Sequence, residues 1–138
     1  MKSNNKKYHI INIPKIVDEK GRGNLSVIEK DCVPFDLKRV YYLYDVPSDA
    51  YRGGHAHKNQ VELLIALSGS FEVVLDDGLE RTKIMLNKPN QGLLIPASVW
   101  RELENFSSGS VCLVLASDVF DEDDYIRDYE DFKLFIGI

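Results

Sequence analysis

The stretch "VELLIALSGSFEVVLDDG", from Val61 to Gly78, decides how this chain is read. Two apolar runs, Val61–Leu67 and Ser70–Leu75, flank Gly69, and "DDG" at Asp76–Gly78 is a turn signal. Runs of six or seven residues rich in β-branched and aromatic side chains, separated by glycine, are strands rather than helices. The same pattern extends in both directions. Upstream lie "LSVIEK" (Leu25–Lys30) and "KRVYYLYDV" (Lys38–Val46). Downstream lie "ERTKIML", a turn at "NKPNQG", "LLIPASVW", and a last clear strand in "GSVCLVLAS" (Gly109–Ser117). Strands at about ten-residue spacing with turns between them predict an all-β sandwich or barrel. A doubly wound sheet would need helical segments between strands, and none is legible.

The chain has 138 residues, which suits one domain over 1–138 with a short flexible segment at about 1–8. Hydrophobic residues make up 44%, enough for a core. With 22 acidic and 17 basic residues the formal net charge is -5, which offers no general attraction to nucleic acid or to an anionic membrane. "MKSNNKKYHI" is basic but no apolar run follows it, so it does not form a signal peptide. No run of 18 apolar residues is present, so no transmembrane helix is expected. A cytoplasmic protein is expected, with Cys32 and Cys112 as free, buried thiols.

Two of the three histidines stand in "YRGGHAHKNQVE" (Tyr51–Glu62). On a strand, His55 and His57 face one side and Ala56 the other. They precede an apolar strand, where the mouth of a barrel pocket would lie. Three readings are open for the pair: metal ligation, acid–base chemistry without metal, or surface residues beside a turn. The spacing His55-x-His57-x4-Glu62-x6-Gly69 resembles the first motif of the cupins, whose two histidines and glutamate commonly bind a divalent ion. In the second such motif, "GLLIPASVWRELENF", the remaining histidine position falls on Arg101. Arginine is a permanent cation and cannot ligate, so no metal is expected.

Taken together, several stretches are similar to the sugar-nucleotide 3,4-ketoisomerases, a cupin-fold family. They are "PFDLKRVYYLYDVP" (34–47), "YRGGHAHK" (51–58), "LIALSGSFEVVLDDG" (64–78), "GLLIPASVWRELENFS" (92–107) and "CLVLASDVFDEDDYIRDYEDF" (112–132), in order and with the family's spacing. The resemblance implies a double-stranded β-helix (jelly-roll) barrel and a homodimer. It implies a dTDP-linked 4-keto-6-deoxyhexose in the barrel mouth, and neither cofactor nor metal. It implies His55 and His57 as the catalytic pair, with Tyr41 beside them. Tyr41 and Tyr42 alternate, so only one can face the pocket, and the resemblance selects Tyr41. It also places Arg39 and Arg52 at the pocket. Position 62 is commonly glutamine in the family, and here it is Glu62.

The chemistry implied is proton transfer from C3 of the hexose through an enediol(ate) to C4, with His55 as base and His57 or Tyr41 as relay or support. The galacto 3-keto product is the expected one. Arg39 and Arg101 suit a diphosphate or the enediolate, since guanidinium matches phosphate oxygens bidentately. Arg101 suits equally well the task of balancing Glu62. Arg22, in the glycine-containing loop "EKGRGNLS" (Glu19–Ser26), is a candidate lid residue. Trp100 is a candidate for stacking on the nucleobase, or for the core. The acidic run "DEDDYIRDYED" lacks the ligand spacing of a calcium loop and is expected to be a solvated segment packing Tyr125, Ile126 and Tyr129 inward. Rival functions are a metal-dependent cupin enzyme and a non-catalytic nucleotide-sugar binding module; a 3,5-epimerase fits the motifs less well.

Overall fold

The computed structural model describes residues 8–138, so the expectation for segment 1–8 lies outside the described residues except at Tyr8. Tyr8 is buried and donates its hydroxyl hydrogen bond to Thr82 Oγ1 at 3.1 Å.

Twelve strands follow in order: β1 (His9–Asn12), β2 (Lys15–Val17), β3 (Asn24–Ser26), β4 (Arg39–Tyr44), β5 (Arg52–His57), β6 (Glu62–Ser68), β7 (Phe71–Asp76), β8 (Arg81–Leu86), β9 (Gln91–Ile95), β10 (Trp100–Glu104), β11 (Val111–Ala116) and β12 (Tyr125–Ile126). One helix, α1 (Tyr129–Ile136), closes the described chain. Two five-stranded sheets, ordered β1-β9-β6-β11-β4 and β12-β5-β10-β7-β8, are antiparallel throughout. They pack face to face as a cupin-like jelly roll. The expected all-β class is the observed one.

The core is built by period-two alternation. Leu64, Ala66, Phe71, Val73, Leu75, Leu93, Ile95, Leu103, Cys112 and Val114 meet between the sheets. Each fully buried Leu, Ile or Phe contributes about 1.5–3 kcal/mol by leaving water. Leu63, Ile65 and Leu115 face the other way and pack under Val33 and Ile13. Cys112 is buried as expected, whereas Cys32 is only half-buried; both are free thiols.

Three expected elements differ. The strand read at Leu25–Lys30 is shorter: Asn24–Ser26 pairs only with Lys15–Val17, as a hairpin with every position exposed. Lys30 then opens a 3₁₀ turn at positive φ, which ends any extended run. "LLIPASVW" divides at Pro96, which has no N–H for a ladder, so β9 ends at Ile95 and Trp100 begins β10. Helix α1 was not legible from periodicity. Its eight residues start at an Asp128 cap, whose side chain accepts from Asp131 N at 3.0 Å, and end at Gly137 in the left-handed region. Phe132 from α1 covers Trp100, Ala56 and Ile126.

Candidate active site

Strand β4 shows how sequence positions a pocket wall. Its burial alternates strictly, with Arg39, Tyr41 and Leu43 turned in and Val40, Tyr42 and Tyr44 exposed. The parity left open between Tyr41 and Tyr42 therefore resolves to Tyr41.

Strand β5 does not follow simple parity. Arg101 pairs with His55, but two residues on along β10 Leu103 pairs with Arg52, three residues back along β5. The extra residue is a β-bulge built on Gly53, whose φ is +93°. A Cβ there would lie 2.8 Å from Leu103 Cδ1. The bulge turns Arg52 and His55, an odd number of residues apart, onto the same cavity. That cavity is about 450 Å³ and is lined by residues of β4, β5, β6, β10, β11 and the β12 region. Four arginines reach it, Arg39, Arg52, Arg101 and Arg127, against one carboxylate, Glu62. Such a cavity suits a polyanion.

At its floor lies a buried charge cluster. Glu62 is 2% exposed and Arg101 1%. Arg101 Nη1 donates to Glu62 Oε1 at 2.6 Å, and Arg101 Nη2 to the Val99 carbonyl at 3.2 Å. Glu62 Oε2 accepts from the Tyr41 hydroxyl at 2.8 Å and from Gln60 Nε2 at 2.7 Å. Burial pushes the Glu62 carboxyl up, but the His57 ring, the Arg101 cation and the Tyr41 hydroxyl outweigh it and hold it well below the usual carboxylate range. Burial, followed by the Glu62 charge and its hydrogen bond, holds the Tyr41 phenol well above its ordinary value, so it remains a donor. Arg39 lies over the Tyr41 ring at 4.9 Å and donates weakly to Gln60 Oε1 and the Tyr125 hydroxyl, both at 3.4 Å.

The two histidines have unlike surroundings. His55 lines the cavity, and its Nε2 has no hydrogen-bond partner among the described residues. Burial, then the charges of Arg101 and His57, push its imidazole down to about 3, so the ring is a free base at neutral pH. His57 is fully buried and does not line the cavity. Its Nδ1 is 2.9 Å from Asp124 Oδ2, and its Nε2 is 3.5 Å from Glu62 Oε2 with no hydrogen-bond partner among the described residues. Of the pair expected at the mouth of the pocket, His55 lines the cavity and His57 lies behind its wall. The strand does put both on one side, but β12 pairs beside His57 and the Tyr125 ring covers it at 4.4 Å.

The ligand atoms of His55, His57 and Glu62 lie within 4.8 Å of one another, the remnant of a cupin metal triad. The donor set does not fit a divalent ion. Both Glu62 oxygens are occupied, the Arg101 guanidinium stands 2.6 Å from one of them, and His57 is turned to Asp124. A dication would have to displace or repel a buried guanidinium.

Among the other predicted residues, Arg39, Arg52, Arg101, Glu62 and Tyr41 converge on the cavity. Trp100 does not. It neighbours Arg101 on β10, so strand parity sends it to the opposite face. There it packs on Tyr129 and Phe132 and donates from Nε1 to Glu102 at 2.8 Å. Arg22 is also outside the cavity, exposed at the tip of the β2–β3 hairpin and paired with Asp18 at 2.8 Å. Sequence reasoning missed Tyr51, Tyr125 and Arg127 on the cavity wall, and Asp124 behind it. The acidic run is only partly solvated, because Asp124 is half-buried against β5. The signal that could have found it is a bulky aromatic and an arginine immediately after the acidic residues, in a segment otherwise too polar to pack.

Comparison with known proteins agrees with this geometry. The FdtA family (WxcM-like, C-terminal) matches residues 6–137. A TDP-4-oxo-6-deoxy-alpha-D-glucose-3,4-oxoisomerase of Aneurinibacillus thermoaerophilus is 47% identical over 129 residues, covering 93% of this chain and 91% of its own. A 3,4-ketoisomerase from Helicobacter canadensis superimposes with a TM-score of 0.90 at 45% identity, over 95% of this chain and 98% of that one. A histidine-to-asparagine variant of the 3,4-ketoisomerase from Thermoanaerobacterium thermosaccharolyticum, in complex with TDP-4-keto-6-deoxyglucose, gives 0.89 at 43% identity, over 93% and 92%.

Proposed function

The chain belongs to the FdtA family of cupin-fold 3,4-ketoisomerases, and from that premise we propose that it converts dTDP-4-keto-6-deoxy-D-glucose to a dTDP-3-keto-6-deoxyhexose. The observation that carries this reading is His55: an unpaired imidazole, held as free base, on the wall of a cavity with four arginines. The arginines bind the diphosphate and the developing oxyanion. The C3 proton is acidic because it is α to the C4 ketone. His55 removes it, and the electrons pass into a C3–C4 enediolate with its charge on O4. His55 then returns a proton to C4, while the O3 hydroxyl proton moves to O4 and leaves a ketone at C3. Tyr41 serves that oxygen-to-oxygen transfer. As the Tyr41 oxygen takes the O3 proton, its own hydrogen turns from Glu62 to O4, so the phenol ends neutral as it began. No external electron acceptor is required.

One histidine working alone fixes the stereochemistry. In the D-gluco chair the C3 hydrogen is axial on the lower face. Return of a proton to C4 from that face leaves O4 axial, which is the galacto product.

A homodimer is part of the proposal. The edge strand β4 exposes Val40, Tyr42 and Tyr44 along its outer face, an apolar row suited to burial by a second copy. Light scattering on the purified protein tests it. A cytoplasmic location is likewise proposed. It is supported by two free thiols and by the lack, among the described residues, of any helix long and apolar enough to cross a membrane.

The test of function is incubation of chelator-treated protein with dTDP-4-keto-6-deoxyglucose in D2O, followed by proton NMR beside His55→Asn. A 3-keto sugar with a small H4–H5 coupling, absent in the variant, is the expected result. An unchanged substrate refutes the proposal. Turnover that returns only with added iron or manganese would instead establish the metal-dependent alternative.

A further inference from the structure

We propose that Asp124 is a positioning residue of the active site, acting on Glu62 and Tyr41 through His57 and Gln60; this rests on the ketoisomerase reading above. Asp124 is far from β5 in sequence, yet it ties down four consecutive residues from the end of that strand, His57 to Gln60. Its Oδ2 accepts from His57 Nδ1 at 2.9 Å and from Gln60 N at 3.2 Å. Its Oδ1 accepts from Asn59 N at 2.7 Å, and its carbonyl from Lys58 N at 2.8 Å. The next residue, Tyr125, pairs with His57 across the sheet and packs its ring, tilted, against the rings of His57 and His55 at 4.4 Å and 5.0 Å.

Two routes lead from this carboxylate to the cavity floor. The first passes through His57. An ionised carboxylate only accepts, so the proton sits on Nδ1, and that bond sets the ring plane. That leaves Nε2 without a hydrogen, 3.5 Å from Glu62 Oε2, so the ring does not compete with Tyr41 and Gln60 for that oxygen. The second passes through Gln60, whose backbone is held by Asp124 and whose side-chain amide donates to the same Glu62 oxygen at 2.7 Å. That oxygen is the one that accepts from Tyr41. Asp124 thus fixes the acceptor that orients the Tyr41 hydroxyl, without touching substrate. The orientation of His57 is supplied by the acidic segment, from which the sequence predicted only Tyr125, Ile126 and Tyr129 to pack inward.

The test is Asp124→Asn. The amide oxygen still accepts from Asn59 N, but its NH2 group now meets the donors at His57 Nδ1 and Gln60 N. The ring escapes this clash by moving its proton to Nε2. The expected result is a fall in kcat of at least about ten-fold on TDP-4-keto-6-deoxyglucose, with KM little changed because the cavity wall is intact. The ¹⁵N shifts of the His57 ring should report an Nδ1 proton in the unmutated protein and its loss in the variant. A kcat within about two-fold of the unmutated enzyme, or a rise in KM with kcat unaltered, overturns the proposal. So does an unmutated protein in which His57 Nδ1 carries no proton, and this reading needs neither activity nor a folded variant. Absence of turnover by the unmutated enzyme would refute the ketoisomerase reading, while the ring shifts would still decide the orientation of His57.

Discussion

Replacing His55 by asparagine should make the protein less sensitive to acid as well as inactive. His55 titrates near 6.5 in an unfolded chain but at about 3 in the folded one, because burial and Arg101 disfavour its cation. Between those values the unfolded state binds the extra proton. Stability therefore rises with pH through this window and is lost as the pH falls below about 6.5. Each pH unit is worth about 1.4 kcal/mol. Between pH 7 and pH 5 the His55 contribution to stability falls by about 2 kcal/mol in the native protein and by none in His55→Asn. Urea unfolding at the two pH values measures it. Carboxylate titrations are common to both proteins and cancel in the difference of differences. A pH dependence equal in the two proteins would show that His55 titrates as an ordinary exposed histidine. The account of a free base held ready at neutral pH would then fail. The same depression predicts that the acid limb of kcat/KM falls well below pH 6.

Three further outcomes follow from the geometry. Glu62→Ala leaves the Arg101 guanidinium buried and unpaired, so denaturant unfolding should show a loss of about 3–5 kcal/mol; a loss below about 1 kcal/mol would mean that the cluster is solvated. Gly53→Ala forces a Cβ against Leu103 at a φ of +93°, and should cost about 1–3 kcal/mol in melts while lowering kcat/KM by displacing Arg52 and His55; near-native kinetics would contradict the bulge. Trp100→Phe should leave KM unchanged and cost about 1 kcal/mol for its lost bond to Glu102, and the emission of this lone tryptophan should not respond to added TDP; quenching by TDP would place the indole against the nucleobase after all.

Much of the architecture was legible because strand alternation is a local steric property. The pattern in 61–78 names two strands with their turn, and the same alternation on 39–44 separates Arg39 and Tyr41 from Val40 and Tyr42. Parity also held information that was not used. Trp100 and Arg101 are adjacent on one strand, so they could not both face the cavity. Helix α1 was hidden by its length, since eight residues give barely two turns of periodicity.

By itself the sequence determined an all-β protein with a histidine pair at the entry to a core strand, since these depend on neighbours two residues apart. Only the tertiary structure decided where each histidine stands. The bulge at Gly53 shifts the register between β5 and β10, so Arg52 joins His55 in the cavity against simple parity. His57 is hydrogen-bonded to Asp124, a partner 67 positions away, and Glu62 to Arg101, 39 positions away. Such pairings are set by how distant strands come to lie side by side, and the free energy that selects them comes from burial and charge compensation across the whole barrel rather than from any local pattern.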